Sequence, residues 1–329
     1  MSLRPSSQQR VILDRRCFAP LFVTESTSKV GTFEAAMYTG LSADQIKRFN
    51  TWKQAKDFLN SLKGRCVFRG VSDAKWDLET SLDRCARYHH AEAESILIES
   101  FERSLPTVKT SLPPTADRVS WMALMRHYGL PSRLLDCTEC ISVAAYFAVA
   151  AGPKSDFAIW AFDIGTIRRS AEESLGILSV ANVPLSPLEL GTAPIFMAAF
   201  QNTKYFIALV DVNYKTERQQ KQMGLFLCPG SSESPFWRNL MQVPSVRASG
   251  ALYQVVLPSD VQKQVMADLQ GKNINHGELL PDPDALEKLG PELDKALKNS
   301  QRNCGHFQWK LEVRRQIELR GLRAWTVDK

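Results

Sequence analysis

Several side chains of this chain have the types that hold a phosphorylated ligand. Phe68-Arg69-Gly70 ends an apolar run. An arginine at a strand end can grip phosphate oxygens with both arms of its fork. Gly70 beside it has no Cβ and lets another group approach. A denser cluster follows: His127, Tyr128, Arg133, Asp136, Thr138 and Glu139 fall within thirteen residues. Tyr128 can stack on a ring, Arg133 can pair with phosphate, and Thr138 can hydrogen-bond a ribose or carboxamide. Gln222, two residues before Gly224 and the apolar run LFL, stands at a strand entrance, where side chains often face a cleft.

Each of these residues also has a plain structural reading. Arg69 can pair with a structural carboxylate. Asp136-x-x-Glu139 has the spacing of a capping box for the apolar helix that follows. Tyr128 can cover the core at a helix end, and Thr138 can hold the first turn of the next helix. Arg133, in a short connector, has little helix-pairing work to do. Clustering is what favours a site over a polar joint between two helices.

The elements that must position these residues follow from periodicity. TWKQAKDFLNSLKG reads as an amphipathic helix with Trp52, Ala55, Phe58, Leu59 and Leu62 on one stripe and Gly64 at its end. RCVFRG reads as a short strand, and HHAEAESILIESFERSL and DRVSWMALMRHYG as helices. Gly129 then Pro131 is a stop signal. ECISVAAYFAVAAG is a helix whose Ala144, Ala145, Ala148 and Ala151 allow close approach to a sheet. DFAIWAFDI, KYFIALVDV, GLFLC and GALYQVVL read as strands. PSDVQKQVMADLQ and PDALEKLGPELDKALKN read as helices, the second broken at Gly290-Pro291. The expectation is an α+β fold: a central mixed or antiparallel sheet with flanking helices.

Composition sets the outer limits. The chain has 329 residues, 44% hydrophobic and 23% charged, the mixture of a globular protein with a buried core. Lysine and arginine exceed aspartate and glutamate by 41 to 35, a net +6 that permits a phosphate-bearing partner without demanding one. No apolar run is long enough for a membrane span, and MSLRPSSQQRVILDRR lacks the apolar middle of a signal peptide. Seven scattered cysteines suit reduced thiols and a cytoplasmic setting. Cys137 and Cys140 form one C-x-x-C, but zinc needs a second pair of ligands, so no metal is expected. There is no G-x-G-x-x-G after a strand, no Walker A run, no H-E-x-x-H and no G-x-S-x-G.

Taken together the motifs resemble the FRG domain. Phe68-Arg69-Gly70, Trp76-Asp77-Leu78 and Ser81-Leu82-Asp83-Arg84 resemble its opening signature. RHYGLPSRLLDCT at 126–138 with AAYFA at 144–148 resembles its second, Gln-His-Tyr-Gly-Leu-Pro-Thr-Arg-Leu-Leu-Asp-Trp-Thr with a helix ending Ala-x-Tyr-Phe-Ala. QMGLF at 222–226 resembles its third. The departures are Arg126 for glutamine, Ser132 for threonine, Cys137 for tryptophan and Val71 for glutamine. The resemblance covers about residues 50–290, leaving 1–49 and 291–329 as terminal extensions.

A further resemblance, of pattern only, is to ADP-ribosyltransferases of the Arg–Ser–Glu type. It matches a strand arginine with Arg69-Gly70, then a strand leading into a helix with Leu135–Thr138 and the run from Val143 to Ala148, then a carboxylate-bearing strand with Gln222 before GLFL. It implies a split sheet and a toxin- or phage-defence-type enzyme that uses NAD as substrate to modify a macromolecule, protein or nucleic acid. On that reading Arg69, Gly70, His127, Tyr128, Arg133 and Thr138 bind the nucleotide, while Arg69, Tyr128, Asp136, Thr138 and Gln222 serve catalysis. Cleaving the nicotinamide–ribose bond builds positive charge on the sugar, which a carboxylate stabilises. Gln222 is a neutral amide and cannot do this. Either Asp136, Glu139 or Glu217 supplies the charge, or turnover is slow, or the pocket is a non-catalytic nucleotide- or nucleic-acid-binding module.

Overall fold

The computed structural model describes residues 40–85, 94–95, 97–99, 101–102, 112–113, 117–175, 204–210, 212, 215–243, 246 and 250–280. The expected helix PDALEKLGPELDKALKN, the C-terminal extension and most of the N-terminal one lie outside these residues, as does much of the expected helix HHAEAESILIESFERSL.

Seven strands form one sheet: β1 (Ile46–Arg48), β2 (Cys66–Val71), β3 (Leu135–Thr138), β4 (Phe157–Asp163), β5 (Ile207–Val210), β6 (Gly224–Pro229) and β7 (Leu252–Leu257). Their order is β1-β7-β4-β2-β3-β6-β5. Among the described residues only β1 and β7 run parallel and every other pair is antiparallel, so the sheet is mixed and the fold α+β. The edge strand β1 comes from residues that the sequence assigned to the N-terminal extension.

The helices are α1 (Trp52–Ser61), α2 (Ser81–Cys85), α3 (Arg118–His127), α4 (Ile141–Val149), α5 (Ile164–Leu175), α6 (Glu217–Lys221), α7 (Phe236–Gln242), α8 (Gln262–Gln270) and α9 (His276–Leu279). α1 starts where Thr51 accepts from the Gln54 amide and buries Trp52, Ala55 and Leu59, the expected stripe. α3 starts at Asp117, which accepts from the Ser120 amide. It stops where Gly129 takes φ +79°, a left-handed conformation that glycine adopts without cost.

Alternation along the strands sorts the core. Val67, Leu135, Cys137, Ala158, Trp160, Leu225, Leu227 and Val256 share one face with Phe236 and Leu240 of α7. The opposite face carries two separate blocks. α1, α4 and α8 cover Phe68, Ile159, Ala161 and Val255. α3 covers Ala208, Val210, Phe226 and Cys228 at the other end. β3 lies at the seam between the blocks.

The sheet is nearly divided at the same place. β2 pairs with β4 through six residue pairs, and β3 with β6 through four. Between β2 and β3 the register holds one pair, Phe68 with Thr138.

Candidate functional site

Periodicity alone does not show β3, which the ADP-ribosyltransferase resemblance matches to a strand, and it changes the reading of the segment 127–139. The segment is helix end, connector and strand, in that order, and not a joint between two helices. α4 begins at Ile141 behind Cys140, whose side chain makes no cap bond. The capping box expected from Asp136 and Glu139 is therefore absent: Asp136 sits in mid-strand, too far before the first turn to accept from it. Asp136 pairs across the sheet with Phe226, and Thr138 with Phe68. Both polar residues thus face the seam between the helical blocks.

A cavity of about 500 Å³ opens there. That is within the range of small-molecule sites. Its lining includes Arg69, Gly70, Asp136, Thr138 and Gln222 from the expected set. Arg84, Arg126, Arg218, Tyr146 and His276 also line it and were not singled out in the sequence. Among the lining side chains five are basic and three acidic, a net charge of +2 with His276 neutral.

Asp136 is the electrostatic centre. Its carboxylate is hydrogen-bonded to Arg126 Nη2 and lies 3.9 Å from Arg69 Nη1. Arg69 Nη1 also donates to the Asp136 main-chain oxygen at 2.7 Å. Burial would raise the Asp136 pKa, but Arg126 and Arg69 outweigh it and hold it at about 2. Its side chain is nonetheless 47% exposed, so a charged carboxylate faces the cavity. Arg126 Nη1 donates to Ser81 Oγ at 2.7 Å, while Arg126 Nε is buried without a partner. Burial pulls the Arg69 pKa down, against the pull of Asp136.

Two expected residues are committed to the scaffold. Thr138 Oγ1 donates to the Gln222 carbonyl at 2.7 Å and accepts from the Cys140 amide at 3.0 Å. Gln222 Nε2 donates to the Leu279 carbonyl at 2.8 Å, drawing the α9 segment over the cavity. That segment brings His276, whose Nδ1 lies 3.3 Å from the Tyr146 hydroxyl. Burial raises the Tyr146 pKa.

The other expected residues are not on the cavity wall. Arg133 is buried and ion-paired with Glu94, with side-chain exposures of 5% and 3%. Burial would lower its pKa; Glu94 raises it instead. The connector that carries Arg133 faces Glu94, 39 residues earlier in the chain. Tyr128 is buried against Phe101, with ring centroids 5.7 Å apart, and His127 packs on Tyr128. Gly70 borders the cavity, but a Cβ there would lie 1.9 Å from the Ala144 carbonyl oxygen and 2.6 Å from the Ala148 nitrogen. What approaches this glycine is the backbone of α4. Glu139 and Glu217, the other carboxylates considered, are not among the lining residues.

Cys137, which stands where the family has tryptophan, borders the cavity only at its edge. Its side chain is buried with Leu135 and Leu225 on the opposite face, and burial pushes its thiol up to about 12. Among the described residues no cluster of histidine, cysteine, aspartate or glutamate could hold a metal ion. Nor is any described helix long and apolar enough to cross a membrane.

Comparison with protein families matches the FRG domain to residues 64–156. The matched stretch runs from the start of β2 past α4 and contains Arg69, Gly70, Arg126, Asp136, Thr138 and Tyr146. It ends before Gln222, Arg218 and His276. Neither the curated proteins nor the solved structures contain a match to the chain.

Proposed function

We propose that the FRG domain carried by residues 64–156 contributes one wall of a nucleotide pocket, and that the protein is an ADP-ribosyltransferase-like enzyme using NAD. The reading rests on one observation: a charged carboxylate, Asp136, faces a basic cavity at the split between β2 and β3. Arginines suit the diphosphate. A carboxylate whose pKa lies far below neutrality suits the positive charge that develops on the ribose when the nicotinamide bond breaks.

The carboxylate in this reading is Asp136 and not Gln222. Gln222 orients the wall through its bonds to Leu279 and Thr138. Thr138 likewise positions backbone. Arg69 tethers β2 to β3 and offers its remaining donors to the ligand. The acceptor, as the resemblance implies, is a macromolecule in the manner of toxin or defence enzymes acting in the cytoplasm.

A second reading has support of its own. Asp136 is already bonded to Arg126, which drains the charge it can offer a sugar. On that ground the same pocket holds a nucleotide, free or at a nucleic-acid end, without reacting. Incubation with nicotinamide-labelled NAD separates the two. The enzyme reading expects nicotinamide release by the wild type and none by R69A. Tight NAD binding without release selects the module. Release that survives in R69A overturns the assignment of the pocket.

A further inference from the structure

Arg218 stands on α6, beside Gln222 and across the cavity from β2, in a segment that the FRG match does not reach. Among the described residues its guanidinium has no hydrogen bond and no ion pair. The neighbouring cations are different: Arg126 holds Asp136 and Ser81, and Arg69 holds the Asp136 carbonyl. Arg218 is half-buried on the cavity wall, so its five donors meet no protein acceptor and stand open to a ligand that enters the cavity. Burial and the charge of Arg126 bring the Arg218 pKa down to about 10, against the pull of Asp136. Arg126 Nε, on the same wall, is buried without a partner. One carboxylate is thus shared by three guanidinium groups, leaving two positive charges uncompensated.

We propose that Arg218, with Arg69 and Arg126, forms a subsite for a multiply charged phosphate group, so that the pocket selects nucleoside diphosphates over neutral nucleosides. Arg218 is the donor kept free for this ligand, while Ser81 and the Asp136 main-chain oxygen hold Arg126 and Arg69 in place. The subsite rests on the phosphate half of the nucleotide reading and is independent of any reaction at the ribose.

The test is calorimetric titration of the full chain with inorganic pyrophosphate, ADP and adenosine. The wild type is expected to bind pyrophosphate and ADP, and to bind adenosine at least about tenfold more weakly. R218Q should lose at least about tenfold in affinity for both anions, and R218K less. Because R218Q removes an uncompensated cation, its Tm without ligand should equal or exceed that of the wild type. Failure of the wild type to bind either anion, unchanged binding in R218Q, equal binding of adenosine and ADP, or a lowered Tm in R218Q would each overturn the subsite. Arg218-dependent pyrophosphate binding without nicotinamide release sinks the enzyme reading and leaves the subsite standing. Normal release by an R218Q protein that binds anions normally does the reverse.

Discussion

Arg69 Nη1 donates to the main-chain oxygen of Asp136 at 2.7 Å, at a line where β2 and β3 keep a single residue pair. A side chain here replaces backbone ladder bonds. The split stays open enough for a cavity, yet β3 is held at a fixed distance from β2. The same guanidinium lies 3.9 Å from the Asp136 carboxylate, so the tether also brings charge to the cavity.

Acid should reveal Asp136. Its folded pKa, about 2, is depressed below the unfolded value of roughly 3.9. Its contribution to stability is therefore complete above the unfolded pKa and is lost as pH falls from about 4 towards 2. Asp268, held at about 2 against its burial by bonds from Lys56, Lys272 and Trp52, is lost over the same window. D136N should cost about 1–2 kcal/mol at neutral pH. Urea unfolding at pH 7 and pH 3 should show the gap between the variant and the wild type shrinking at the lower pH. A gap that widens would contradict the pairing.

Arg133 should matter to folding and not to the ligand. E94Q leaves a buried guanidinium without its counter-charge and should cost about 3–5 kcal/mol. Where E94Q remains folded, its ADP affinity should match that of the wild type. A selective loss of affinity with normal stability would return Arg133 to the site.

Gly70 should tolerate no side chain. A Cβ would meet the Ala144 carbonyl at 1.9 Å, a backbone atom that cannot step aside alone. Thermal denaturation of G70A should show a loss of about 1–3 kcal/mol or more. A wild-type Tm would mean that β2 and α4 are not so closely packed.

Gln222 should govern the α9 segment. Q222A removes the bond to the Leu279 carbonyl at 2.8 Å. Amide exchange across 276–280 should then speed up while β4 and β7 stay protected. Unchanged exchange in that segment would show that other contacts hold it.

Much of the frame was readable in the sequence because it follows period. α1, α3 and α4 carry continuous apolar stripes or runs, and β2, β4, β6 and β7 are apolar runs bounded by breakers. β3 was legible only through the ADP-ribosyltransferase resemblance and not from period, because four residues, LDCT, alternate buried and cavity-facing positions without an apolar run. The short α6 was missed because ERQQK has the composition of a solvated turn. Of the site, Arg69 was legible from type and position. The spacing of Asp136 with Glu139 suggested a cap that is absent, and Asp136 entered only as one of three carboxylates that could stand in for Gln222. Arg126 stands out in the sequence only as a departure from a motif, and Arg218 carries no signal of its own, because their role depends on a carboxylate that the fold brings near them. Arg133 was misplaced for the converse reason: Glu94, 39 residues earlier, supplies its partner.

The measurement that bears most directly on the central claim is nicotinamide release by D136N beside the wild type, with NAD binding measured on the same samples. If Asp136 stabilises charge on the ribose, D136N should keep NAD affinity within a few-fold and lose about 100-fold or more of the release rate. Release by D136N at the wild-type rate would contradict the claim that this carboxylate is the working charge of the pocket.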